Sequence, residues 1–173
     1  TDHVSHSKVP QKNEVVSEEP KAKSVRPYTV VQKPFTATEL AFWGKSGIGE
    51  NILKAYRTVS LKKFSSENQE RKPFSCMTSV DEPMFGYMGK QHIKVYRPCS
   101  QMRFLYVGDF GDNYCFGLEQ LPAKGDLLFI TGGEKDVMSL AAHGFHAICF
   151  NSETAFIPAA VIHRLSFLSL IHI

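Results

Sequence analysis

Cysteine is scarce and scattered. Cys76, Cys99, Cys115 and Cys149 are the only thiols, and no two stand as a Cys-x-x-Cys pair. Neither a zinc site nor a disulfide framework is therefore expected, and the thiols read as reduced and intracellular. Uninterrupted apolar runs of membrane length are missing too. No positively charged leader precedes an apolar core near Thr1, and the apolar stretch from Phe156 to Ile173 is broken by His163, Arg164 and His172. No membrane partner is expected, and a cytoplasmic location is. Charge of either sign is in small excess: the net value is +3 over 173 residues. That balance permits an acidic partner such as nucleic acid without requiring one. The apolar content, 43%, suffices for a core in one ordinary domain, or in a small domain plus part of another.

Residues 1–34 mix Lys, Glu, Ser and Pro with isolated valines and show no sustained apolar period. Such a segment buries too little surface to offset its ordering entropy, so it reads as a disordered tail or as a linker from a preceding domain. Order is expected from Phe35. Thr36-Ala37-Thr38-Glu39 fits a capping box, with Phe35 and Leu40 placed for a hydrophobic staple. The helix it opens ends at Gly44-Lys45-Ser46-Gly47. A second short helix follows, carrying Ile48, Ile52, Leu53 and Tyr56 on one face. Gly44-Lys45-Ser46 lacks the upstream glycine and strand of a phosphate loop, and is read as a helix–helix turn.

From Thr58 the pattern changes to short runs rich in Val, Phe and Tyr: Val59 to Phe64, Phe74 to Thr78, Met84 to Met88, His92 to Arg97 and Arg103 to Gly108. These predict an antiparallel sheet of hairpins. In the fourth run Ile93 and Val95 alternate with His92, Lys94 and Tyr96, giving one apolar and one polar face. Lys90, Lys94, Arg97 and Arg103 then gather near Tyr96 and Tyr106. Basic groups beside aromatic rings suit a single nucleic-acid strand, held by phosphate contacts and base stacking; a solvated sheet face is the alternative. Asp109 and Asp112 either serve a turn or bind a cation.

The stretch from Asp126 to Glu153 carries the strongest pattern. Leu127 to Ile130 is a continuous apolar run, as expected of a parallel strand covered on both faces. Gly132-Gly133 allows a tight turn and close approach of a ligand to the backbone, and Glu134-Lys135-Asp136 opens a helix. Those acids either complement the helix dipole or hold Mg²⁺ beside a phosphate. His143-Gly144 closes the helix, Ala147 to Phe150 is the next strand, and Asn151, Ser152 and Glu153 form a second loop at the same rim. A βαβ-type unit results. His143 and His146 read as turn and strand residues.

This order of strand, GGEKDVMSLAAHGF, strand AICF and NSETA resembles the toprim domain of bacterial and phage DNA primases. Upstream, the small helical segment Gly47 to Tyr56, the basic strand His92 to Arg97 and the phrase Phe116-Gly117-Leu118 extend the resemblance to roughly Phe35 to Ile173. It implies a mixed α/β chain with three parts: a tail or linker over 1–34, a helical and antiparallel-β subdomain over 35–125, and a partial toprim sheet over 126–173. It also implies a nucleotidyltransferase parent that joins ribonucleotides into a primer on single-stranded DNA, with nucleoside triphosphates, Mg²⁺ and a replicative helicase as partners.

Carried over by position, Gly132 and Gly133 become the close-approach turn, Glu134 and Asp136 the catalytic acids with Glu134 on the metal, and Asn151, Ser152 and Glu153 the second rim loop. Lys94, Arg97 and Arg103 become the surface that holds template and incoming nucleotide, and Lys90 joins them from the clustering of basic residues alone. The family's glutamate directly follows the first strand as Glu-Gly, whereas Gly132-Gly133 stand there in this chain. The family's Asp-x-Asp beyond the third strand does not occur before Ile173. The 173-residue chain is accordingly expected to be inactive alone. A non-catalytic nucleic-acid-binding module, or another toprim enzyme such as a topoisomerase or nuclease, is the alternative.

Overall fold

The computed structural model describes residues 26–68, 70–111, 113–151 and 156–167. Its architecture is mixed α/β, as the alternation of segment types predicts: among the described residues, a large antiparallel sheet, a small parallel one, and four α-helices.

Strand β1 (Tyr28–Lys33) precedes two short helices, α1 (Ala37–Gly44) and α2 (Glu50–Ala55). Strands β2 (Thr58–Glu67), β3 (Pro73–Met77), β4 (Phe85–Met88), β5 (His92–Tyr96) and β6 (Phe104–Gly108) complete a six-stranded sheet in the order β1-β2-β4-β5-β6. The long β2 pairs β1 along one edge and both β3 and β4 along the other. The sheet curls far enough that Arg26, beside β1, donates 3.1 Å to the Tyr106 carbonyl of β6.

Strand β1 corrects the expectation that everything before Phe35 is tail or linker. Tyr28-Thr29-Val30-Val31 is too short to show a period alone, yet its β-branched residues fit a pleated surface once the edge of β2 is offered. The pairing runs from Tyr28 opposite Ser66 to Lys33 opposite Ser60. The expected capping box opens α1: Thr36 Oγ1 accepts from the Glu39 amide (3.2 Å), and the Glu39 carboxylate accepts from the Thr36 amide (2.8 Å).

The second unit is β7 (Phe129–Thr131), α3 (Glu134–Ala142) and β8 (Ala147–Cys149), a parallel pair with its crossover helix, followed by α4 (Ala159–Ser166). Strand β8 is buried throughout. On its side away from β7 it bridges Phe116, with paired hydrogen bonds of 2.9 and 3.1 Å. Coverage of both faces, expected for the whole run Leu127 to Ile130, fails at its end. Leu128 is fully buried but Ile130 is 40% exposed. Residues 168–173, where the toprim resemblance would put a third strand, lie outside the described residues.

Three apolar clusters bind these parts together. Phe85, Tyr87 and Tyr96 meet Trp43, Leu53, Val137 and Met138 between the large sheet and helices α1 to α3. The opposite sheet face gathers Leu61, Phe64, Met84, Ile93, Val95 and Val107. Leu128, Ile148 and Phe150 pack under Val161 and Leu165 of α4. Both faces of β5 are therefore covered, and this positions the site.

Candidate functional site

The alternation along β5 sends Ile93 and Val95 into the second cluster and turns Lys94 and Tyr96 to the other face. The sequence reads that second face as polar, either a nucleic-acid surface or a solvated one, but α3 lies over it. Gly133, in extended backbone (φ −163°), leads into α3 with no side-chain cap. Glu134 follows as the first helical residue and reaches the sheet. Lys94 Nζ donates to Glu134 Oε1 at 2.7 Å and to Oε2 at 2.8 Å. Tyr114 donates its hydroxyl to Oε1 at 2.8 Å. Lys94 is only 5% exposed and Glu134 only 2%.

Aromatic rings wall in the lysine: its Nζ lies 4.7 Å from the Phe104 centroid and 5.1 Å from that of Tyr106. Tyr106 is its direct cross-strand partner on β6 and Phe104 the diagonal one. Tyr114, Tyr87 and Cys149, around Glu134, are shifted toward keeping their protons. Burial first, then the Glu134 charge and its hydrogen bond, push the Tyr114 hydroxyl far up. Burial and the same charge raise Tyr87, and they raise the Cys149 thiol against an opposing contribution from Lys94.

The other basic residues predicted for a template surface separate. Lys90 sits before β5 with its side chain 78% exposed and its Nζ 3.7 Å from Glu119. Arg97 follows β5, seven residues on, or about 23 Å at an extended rise. Its guanidinium lies 3.8 Å from Glu82, and its amide donates 2.8 Å to the Arg103 carbonyl. Exposed Arg103 lies over Tyr96 and Phe104, 5.8 Å from each ring centroid, and donates 3.4 Å to the Tyr96 hydroxyl. Arg97 and Arg103 thus share one end of the β5–β6 hairpin, Lys90 stands at the other, and Lys94 is interior.

Asp136 is exposed at the first turn of α3, beside Gly133. Gly132 is exposed and Gly133 half-buried, and Asn151 is exposed just beyond β8. Ser152, Glu153 and Asp112 lie outside the described residues. Tyr114 is the site residue that the sequence does not reveal. It stands in an irregular segment, and only folding brings it to an acid twenty positions away. It also lines a cleft of about 270 Å³ with Arg57, Lys90, His92, Phe110 and Arg164. His92 stacks on Phe110 at 4.3 Å, and its burial, against the opposing pull of Asp109, lowers its pKa.

The expected Mg²⁺ can be tested against this donor set. A hard divalent cation needs several oxygen ligands and usually keeps some water. Both oxygens of Glu134 already accept from Lys94, one also accepts from Tyr114, and the residue is buried. Among the described residues no group of three His, Cys, Asp or Glu converges. With both oxygens so engaged, Glu134 does not fit a metal.

Fold and site together define a mixed α/β chain in which a buried ion pair joins an antiparallel sheet to a βαβ unit. Compared with protein-family models and with curated proteins, the chain finds no match. Among the described residues no helix is long and apolar enough to cross a membrane.

Proposed function

We propose that this chain binds single-stranded DNA as the template-holding part of a primase-like core. The observation that carries the reading is the end of the β5–β6 hairpin. There an exposed arginine, Arg103, lies over two rings, and Arg97 is hydrogen-bonded beside it through the backbone. An exposed cation for backbone phosphates is what sequence-tolerant strand binding needs, while the Tyr96 ring beneath it is packed in the core against Phe104. Primer synthesis from nucleoside triphosphates with Mg²⁺, a helicase partner and a cytoplasmic setting belong to the same reading. They rest on the toprim-like order of strand, Gly-Gly turn, acidic helix start and strand.

The test is fluorescence anisotropy of labelled single-stranded DNA across a salt series. Arg97→Ala and Arg103→Ala should each weaken binding across sequences and reduce the salt slope by about one. Unchanged binding in both variants would refute the assignment. A second reading, a nucleic-acid-binding module without catalysis, is favoured by the commitment of Glu134 to Lys94.

A further inference from the structure

From the donor set around Glu134 we infer that the Lys94 ammonium is the resident cation of this site. Glu134 is then a positioning residue that fastens α3 to β5, in place of the Mg²⁺ ligand that the resemblance implies. The inference rests on the toprim-like reading only for its expectation of a metal.

Three observations converge. Lys94 engages both carboxylate oxygens, at 2.7 and 2.8 Å, which leaves the bidentate face of the acid occupied. Tyr114 donates its hydroxyl to a further lone pair at 2.8 Å. Glu134 is 2% exposed, so the waters that Mg²⁺ retains have no place beside it.

Displacement is opposed from the lysine side as well. An ammonium pushed off Glu134 would remain against the rings of Phe104 and Tyr106, which supply no carboxylate acceptor. A buried charge stripped of its partner is unfavourable, so an incoming divalent cation would have to offset the loss of the pair before gaining anything. Asp136, the other acid at this turn, is exposed.

The experiment uses the whole chain. NMR of the lysine ammonium groups should show the Lys94 signal in slow exchange with water and unchanged in millimolar Mg²⁺. Calorimetric titration with Mn²⁺ should give the same isotherm for wild type and Glu134→Gln. Loss or a large shift of the Lys94 signal on adding Mg²⁺ would overturn the inference. So would Mn²⁺ binding that Glu134→Gln weakens tenfold or more. The NMR measurement needs no variant and decides the question even where Glu134→Gln folds poorly. Anisotropy with single-stranded DNA on the same samples separates the two proposals. Lost DNA binding with an unmoved Lys94 signal refutes the primase-like reading alone, whereas a displaced Lys94 with intact DNA binding refutes this inference alone.

Discussion

Among the described residues two buried carboxylates, Glu39 and Glu134, organise the chain residue by residue, each by a different set of donors. Burial alone would raise the pKa of Glu39, but hydrogen bonds from Lys33, the Thr36 amide and Ser60 outweigh it and bring the net shift down. The sign for stability follows. A carboxylate whose folded-state pKa is depressed contributes above its ordinary range, and the contribution is lost as pH falls through the lower folded value. The stability difference between wild type and Glu39→Gln, measured by urea denaturation, should be largest at neutral pH and shrink in acid. Glu134 is the second case. Lys94→Ala leaves it buried without its cation, and breaking such a pair costs about 3–5 kcal/mol. A lower melting temperature should therefore accompany any loss of DNA binding in that variant, which makes Arg97 and Arg103 the cleaner probes. Thiol chemistry should sort by the same burial. Cys99 is exposed, whereas Cys115 is pushed up to about 12 by its surroundings and Cys149 is buried and raised further. Alkylation at neutral pH should label Cys99 well before Cys115 and Cys149, as peptide mapping over time would show.

Among the elements, Gly117 is the position where the segment leading into the βαβ unit tolerates no side chain. Its φ is +90°, and an added Cβ would stand 2.5 Å from the Ala147 carbonyl oxygen and 2.9 Å from Val137 Cγ1. Both neighbours belong to the unit that carries Glu134, one in β8 and one in α3. Gly117→Ala combines left-handed backbone strain with overpacking and should cost about 2–4 kcal/mol in chemical denaturation. The Phe116–Cys149 bridge explains why the approach is so close: the chain passes Gly117 immediately after pairing with β8.

For the molecule as a whole, β1 is the terminal strand of the large sheet and covers the β2 edge. Removing 26–33 would uncover the β2 edge from Ser60 to Ser66 and delete the Arg26 hydrogen bond to the Tyr106 carbonyl. Exposed edge strands template pairing with another chain. Sedimentation of that deletion variant should show concentration-dependent self-association beyond that of the parent chain. The Lys94–Glu134 pair acts at the same scale, because it connects β5 of the large sheet to the helix of the small one through two hydrogen bonds.

Local chemistry by itself determined much of this protein. The capping box at Thr36, the turn at Gly44-Lys45-Ser46, the strands beginning near Val59, Phe74, Met84, His92 and Arg103, and the helix from Glu134 to the His143-Gly144 closure all depend on neighbours within a few positions. The antiparallel-then-parallel order follows from the change of apolar period between those stretches. Tertiary structure decided the rest, because the deciding partners are remote in sequence. Tyr28 to Lys33 becomes a strand only against β2, some thirty positions on. Lys94 reads as one of four surface cations until α3 covers its face; forty residues then separate it from the acid that neutralises it. Tyr114 has no local signature and joins them only in the folded chain. A polar residue on an alternating strand looks solvated from sequence, since alternation reports which face it is on and not what is packed over that face.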